Sequence, residues 1–336
     1  MLILHNPQND GEKPITSIAA VFGVGLIGVH LVNNLYQYQY KTAHSLPFSW
    51  QDASHRKKEK ADIRYYIQNL MKNPDHDPGN SHCRGGLYAL PTQAGVNPAP
   101  ANRIDFVWSA GKGGFGMEQS DTLPELASFS EVMEMAIAVR RETPSCQVRF
   151  HMLSSAGGLF EGQRNVNADS QPAPKRPYGA LKLAQEKMLD DCDGLIRFIY
   201  RPTSVYGFSG LNRRLGLIPT LLLNGTKNKV STIFGAPETL RDYVWADDIG
   251  AFMADMIASQ IESSSRFLLA SGKPSALFEI FNRIEKILNK KLFCHYIKSG
   301  GNAEHNTFSM RPRPACWNPV DLETGIRRTY HAMFFW

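Results

Sequence analysis

"SIAAVFGVGLIGVHLVNNLYQY", residues 17 to 38, decides how the rest of the chain is read. "SIAAVFG" is a short apolar run of strand length, and "IGVHLVNNLYQY" carries the pattern of a helix, so the six residues "GVGLIG" (Gly23 to Gly28) stand at a strand-to-helix turn. GxGxxG is a weak signal by itself and a much stronger one in that place. Gly23 permits a tight turn, Gly25 lets the backbone approach a pyrophosphate, and Gly28 lets helix and strand pack closely. With Leu26 and Ile27 the turn opens the helix, whose first N–H groups have no partner within it and suit an anion. A dinucleotide, NAD or NADP, is the expected ligand.

Working outward, the same alternation continues. "YKTAHSLPF" follows as strand two, then a helix around "ADIRYYIQNLMK" and a loop-like interval, "NPDHDPGNSHCRGG". "RIDFVWSAG", "QVRFHMLSSAG" and "GLIRFIYRP" read as strands, separated by the helices "LPELASFSEVMEMAIAVRRE" and "PYGALKLAQEKMLDD". Strands alternating with helices predict a parallel sheet covered by helices on both faces. Beyond about residue 205 the pattern becomes mixed, as for a second, smaller unit.

A site for NAD usually ends strand two on a carboxylate that accepts from the adenosine ribose. Ser45 or Leu46 holds that position here. Asp52 comes late, and Arg56, Lys57 and Lys58 offer an alternative in which cations meet a 2'-phosphate, so NAD and NADP both stay open. A second glycine cluster, "SAGKGGFG" (109 to 116), departs from a Walker A loop because Lys112 is followed by Gly113. It is expected to line the cofactor through Ala110 and Gly111.

The 336 residues suffice for one large domain or two adjoining ones. With 43% hydrophobic and 20% charged residues the chain reads as globular, and no apolar run reaches the roughly 18 to 20 residues of a membrane span. "MLILHNPQNDGEKP" carries no basic segment followed by a long apolar one, so a secretory signal is not expected. Five scattered cysteines without CxxC spacing suit free thiols in a reducing, cytoplasmic setting. The net charge of +6 is dispersed, and its densest run, "HRKKEK" (55 to 60), reads as a solvated helix face, so nucleic acid is not an expected partner. His76, Asp77, His82 and Cys83 match no zinc spacing, and no metal site is expected.

"RPYGALK" (176 to 182) places Tyr178 four positions before Lys182, on one helix face. A tyrosine with a pKa near 10 is a poor base at neutral pH, and a neighbouring ammonium favours its phenolate. Gly179 and Ala180 leave room for a flat cofactor. Ser154 and Ser155, in "MLSSAGG", end the preceding strand at the same sheet edge, where a hydroxyl can hold a substrate oxygen.

Together, "GVGLIG", "SSAGG", "YGALK", "RPTSVYG" (201 to 207) and "RDYVWADDIG" (241 to 250) resemble, in order, the extended short-chain dehydrogenase/reductases, specifically the NAD-dependent epimerase/dehydratase family acting on nucleotide sugars. The resemblance covers about residues 17 to 260. It implies a Rossmann doubly wound parallel sheet, an NAD(P)-binding domain over 1–205 to which 241–260 return, and a smaller C-terminal α/β substrate domain over 206–336. It implies Tyr178 as acid/base, Lys182 on the nicotinamide ribose and Ser155 or Ser154 on the sugar hydroxyl. Counting back from Leu159 and Phe160 puts Ala156 where relatives carry that hydroxyl. The Asp-Glu pair of 4,6-dehydratases is replaced by Ala156 and Gly157, which argues against water elimination.

Arg241 is implied as a clamp on the nucleotide diphosphate, with a salt bridge to Asp242 as its alternative, and Ser204 falls where relatives often have a substrate-side Asn. Asp247 and Asp248 are expected to charge a helix's first turn, and Tyr206 to be core. Three readings follow: an epimerase working through a transient keto sugar, a ketosugar reductase, and a dinucleotide-binding protein without catalysis. Homodimerisation through two helices per subunit is common in the family and stays open.

Overall fold

The computed structural model describes residues 1–6, 17–50, 52–72, 102–111, 113–114, 116–211, 213, 215–297 and 304–335. Seven strands form the main sheet: β1 (Leu2–Asn6), β2 (Ser17–Phe22), β3 (Lys41–Ser45), β4 (Arg103–Trp108), β5 (Gln147–Leu153), β6 (Ile196–Pro202) and, much later, β11 (Ser265–Leu269). Their order is β11-β6-β5-β4-β2-β1-β3. Around them run α1 (Leu26–Gln37), α2 (Ala53–Lys72), α3 (Thr122–Glu142), α4 (Ala156–Leu159), α5 (Pro177–Asp190) and α7 (Ala246–Ala258).

β2 and β4 are buried along their whole length, as strands covered on both faces must be. Strand alternation sends Ile18, Ala20 and Phe22 into a core under α2 and α3, while Ala19 and Val21 enter a second core shared with α1 and α7. The loop interval with His76, Asp77, His82 and Cys83 lies outside the described residues. The other four cysteines are free thiols. Among the described residues no group of three metal-ligating side chains forms, and no helix is long and apolar enough to cross a membrane.

One strand was not foreseen. β1, "LILHN", enters between β2 and β3 and runs antiparallel to both. In the usual doubly wound order, strand two lies beside strand one. Here β3 is displaced outward by one strand, about 4.8 Å, and becomes a largely exposed edge bearing Lys41 and Thr42.

A buried polar network underlies the sheet's centre. Asp105 (β4) accepts from Arg149 Nε at 2.6 Å and from His151 Nε2 at 2.8 Å, both on β5, while Tyr200 OH lies 2.8 Å from His151 Nδ1. Burial lowers the basicity of His151 more than Asp105 raises it, so the ring is neutral, donates to Asp105 and accepts from Tyr200. Arg103 and Arg149 then reach past the sheet to the Ile257 and Ser259 carbonyls at the end of α7. Those carbonyls lack helical partners, and the negative end of the helix offsets the second arginine.

After β6 the chain builds ribbons from β7 (Ser204–Tyr206) with β10 (Tyr243–Trp245), β8 (Ser231–Phe234) with β13 (Cys294–Ile297), and β9 (Leu240–Arg241) with β12 (Ser275–Ala276). A separate core forms where α6 (Leu217–Thr226), α8 (Leu277–Leu288) and α9 (Leu322–Phe334) meet around Ile218, Ile284 and Ile326, with Tyr206 buried in it. α7 packs on α1, held by Asp247, whose Oδ1 is 3.0 Å from both His30 Nδ1 and Asn34 Nδ2. Asp248 accepts from Val320 N at 3.0 Å, and burial, with Asp247 beside it, pushes its carboxyl up to about 6.

Candidate active site

Each glycine of the turn between β2 and α1 meets a different constraint. Gly23 has φ +93° and stands against Ala110, where a Cβ would come within 2.5 Å of the Ala110 amide nitrogen. A Cβ on Gly28 would be 2.1 Å from the Gly23 carbonyl oxygen. Gly25 differs: its φ of −82° suits any residue and no atom lies within 4 Å of a Cβ placed there. It precedes α1 with no side chain capping the helix, which leaves the first-turn amides to an anion. Leu26 is partly buried against the α1/α7 core, and Ile27 belongs to that core.

A cavity of about 510 Å³ opens in front of this turn, between Gly23, Val24 and Gly25 on one side and Ser109, Ala110, Gly111, Trp50 and the start of α3 on the other. Open space at Gly25, an uncapped helix start and a cavity of this size fit the diphosphate and a nucleoside of a dinucleotide. Gly25→Ala should therefore fold normally yet weaken dinucleotide binding at least about tenfold. Gly28→Ala should instead lose about 1–3 kcal/mol of stability through overpacking. Calorimetric titration beside urea unfolding separates the two.

The cations proposed for a 2'-phosphate lie elsewhere. Arg56 is buried, paired through Nε and Nη2 with Glu131 and bonded through Nη1 to the Ser49 and Trp50 carbonyls. Lys57 lines a separate groove between α2 and α3. Asp52 is consumed capping α2 through Ser54 and His55. Ser45 is exposed on the displaced β3, opposite Leu2.

Tyr178 stands in the first turn of α5, which Pro177 starts. Its ring occupies a slot between two glycines: a Cβ on Gly113 would come within 2.7 Å of its Cδ2, and one on Gly158 within 3.1 Å of its Cδ1. The Ser155 side chain neighbours the phenol and acts to lower its pKa, while its oxygen accepts from Gly158 N at 3.2 Å and caps α4. Ser154 points the other way and donates at 2.5 Å to Glu186, itself paired with Arg201. Ala156 is wholly buried. Of the two sequence candidates, Ser155 is the one brought to the tyrosine. Gly179 does not leave space for a cofactor: a Cβ there would be 2.2 Å from the Gly158 carbonyl, so its role is close packing of α5 on α4.

Lys182 is 4% exposed, and its ammonium donates to Gln185 Oε1 at 3.0 Å and lies 3.7 Å from Glu125 Oε1. Burial lowers its pKa despite Glu125. At Tyr178, burial raises the pKa, Ser155 lowers it and Glu125 raises it further. Burial thus holds the phenol protonated in the resting chain, with Glu125 adding to it. Glu125 and Gln185, both beside the Lys182 ammonium, are neighbours that sequence reading missed. Gln185 sits at i+3 from Lys182, a spacing visible in the sequence, whereas Glu125 arrives only through α3 packing on α5.

Arg241, on β9, does not pair with Asp242. That carboxylate is occupied by Thr203 Oγ1, the Ser271 and Gly272 amides and Ser271 Oγ. Arg241 instead acts on Glu161, which accepts from Arg176 Nε at 2.8 Å; burial raises the Glu161 pKa against these cations. Arg176 stands at the N-cap position of α5, two residues before Tyr178, so Arg241 borders the same region. Ser204 donates its amide to the Asp242 carbonyl within the β7/β10 ribbon.

The sequence profile of the NAD dependent epimerase/dehydratase family matches residues 19–269. No curated protein matches the chain. Solved structures with similar folds include a UDP-glucose 4-epimerase (19% identity, TM-score 0.70, covering 95% of this chain and 98% of the other). The Thermus thermophilus UDP-glucose 4-epimerase in complex with NAD is another (16%, 0.67, 93% and 97%). So is MoeE5 in complex with UDP-glucose and NAD (16%, 0.68, 94% and 98%). With the glycine turn, the sheet and a profile match across most of the chain, this protein belongs to the NAD-dependent epimerase/dehydratase family, a family of NAD(P)-dependent enzymes.

Proposed function

We propose that the chain epimerises a nucleotide-activated sugar. The observation that carries this reading is the Tyr178 ring held in a glycine slot with Ser155 as its neighbour, Lys182 on the same helix and the dinucleotide cavity beside them. The bound nicotinamide supplies a reversible hydride acceptor. Ser155 holds the sugar hydroxyl, and Tyr178 takes its proton as the carbon is oxidised, then returns it after the keto sugar has turned over. Lys182 supplies positive charge that offsets the developing phenolate. Burial keeps Tyr178 protonated in the resting chain, so a nearby cation is required to make it a base, the part that this reading gives to Lys182 together with the positive charge a bound oxidised nicotinamide would add.

In the same reading, the unit around α6, α8 and α9 contacts the nucleotide sugar, and α7 with β11 returns to the dinucleotide-binding sheet. Arg241 clamps the nucleotide diphosphate, a task suited to a guanidinium fork. Proteins with this fold include a UDP-glucose 4-epimerase and MoeE5 in complex with UDP-glucose, which makes UDP-sugars the first substrates to try. The test is product analysis with a panel of UDP-sugars and substoichiometric NAD. Epimer formation over many turnovers per dinucleotide is expected. One NAD(P)H consumed per product would instead identify a ketosugar reductase.

A further inference from the structure

We propose that Glu125 is the carboxylate that takes a ribose cis-diol of the dinucleotide, in place of the acidic residue absent from the end of β3. The proposal rests on the dinucleotide reading of the cavity, and not on the reaction.

Three observations lead to it. β1 separates β3 from the glycine turn, and β3 ends in an exposed Ser45, so the usual ribose carboxylate is missing both in sequence and in place. Arg56, which could have marked a phosphorylated ribose, is locked to Glu131 and two carbonyls. The described residues that line the 510 Å³ cavity include only two charged side chains, Asp121 and Glu125, both acidic.

Of these two, Glu125 is built into the wall. Its side chain is 10% exposed, and its Oε1 accepts no hydrogen bond among the described residues although Lys182 Nζ is 3.7 Å away. A buried carboxylate oxygen with an unmet acceptor is costly unless a ligand donor completes it. Gly111 stands beside it at φ +143°, and a Cβ there would fall 2.7 Å from that same oxygen. A cis-diol presents two donors to a carboxylate, whereas a phosphate presents only acceptors and negative charge. The site should thus favour unphosphorylated ribose. Both halves of NAD carry such a diol, and the ligand series below tells them apart.

The experiment is calorimetric titration of the full chain. Glu125→Gln, which keeps volume and removes charge, should raise the Kd for NAD about 10- to 100-fold, while Glu134→Gln, exposed on α3 in the separate groove toward α2, should change it less than about twofold. Wild type should lose a similar factor when one 2'-hydroxyl of NAD is deleted, and Glu125→Gln should show no further loss with that analogue. Sensitivity to the 2'-deoxyadenosine analogue assigns the adenosine ribose, and NADP should then bind wild type at least about tenfold more weakly than NAD. Sensitivity to the deoxynicotinamide-riboside analogue assigns the other ribose. The ligand-side deletion remains decisive if the variant is unstable. Unchanged NAD affinity in Glu125→Gln, or deoxy analogues that both bind wild type as NAD does, would overturn the proposal. Wild type that binds no dinucleotide would overturn the cavity reading as well. Glu125-dependent binding without turnover of any nucleotide sugar would leave this inference standing and remove only the epimerase.

Discussion

Tyr178→Phe should lower turnover of the nucleotide sugar by about 10²- to 10⁴-fold while dinucleotide affinity stays within about threefold of wild type. The phenol is the group in the slot between Gly113 and Gly158 that can exchange a proton with a hydroxyl held at Ser155, and the phenylalanine ring fills the same slot. The dinucleotide cavity is lined by other residues, so its occupancy should survive. Steady-state rates beside a binding titration check this. Retained turnover would remove Tyr178 from the chemistry, and joint loss of binding and turnover would make it structural. Ser155→Ala should act in the same direction but more weakly, since it removes a hydrogen bond and leaves the acid/base.

Asp105→Asn should cost about 3–5 kcal/mol of stability, the range for breaking a buried ion pair by removing one partner. Asp105 has no exposed surface, and its loss removes the carboxylate that the buried Arg149 and Arg103 guanidinium groups share, leaving two neighbouring cations without an anion between them. Burial pushes the Asp105 carboxyl up, but Arg149, His151 and Arg103 outweigh it and hold the group well below the usual carboxylate range. A lowered folded-state pKa gives stability that is full above the unfolded value, near 3.9, and is lost as pH falls through the folded one. The gap between wild type and variant should therefore be flat from neutral pH to about pH 5 and narrow only below about pH 4. Urea midpoints across that range provide the check; a loss below about 1 kcal/mol at pH 7 would contradict the network's role.

Local chemistry made much of this legible in the sequence. "GVGLIG" works through contacts within a few residues, and the i, i+4 relation of Tyr178 and Lys182 follows from helix geometry alone. The strand and helix alternation that predicts the sheet is likewise a local pattern. What stayed hidden depends on partners distant in the chain. Nothing within "LILHN" says that it will wedge between β2 and β3, because strand pairing is chosen by the sheet as a whole. The direction of two adjacent serines depends on where β5 gives way to α4: one residue earlier the hydroxyl faces Glu186, one later it faces Tyr178. Arg56 reads as an available cation until Glu131 on α3 is seen beside it. Glu125 looks like an ordinary first-turn acid, and only α3 packing on α5 brings it to Lys182.

The most direct measurement uses a stopped-flow instrument to mix the NAD-loaded protein with a UDP-sugar that it turns over, and follows reduced-nicotinamide absorbance. A transient that rises and returns to baseline while the epimer accumulates is predicted, and it should vanish in Tyr178→Phe. A sugar that binds and is converted with no reduced nicotinamide at any time, or a transient undiminished without the phenol, would contradict hydride shuttling governed by Tyr178.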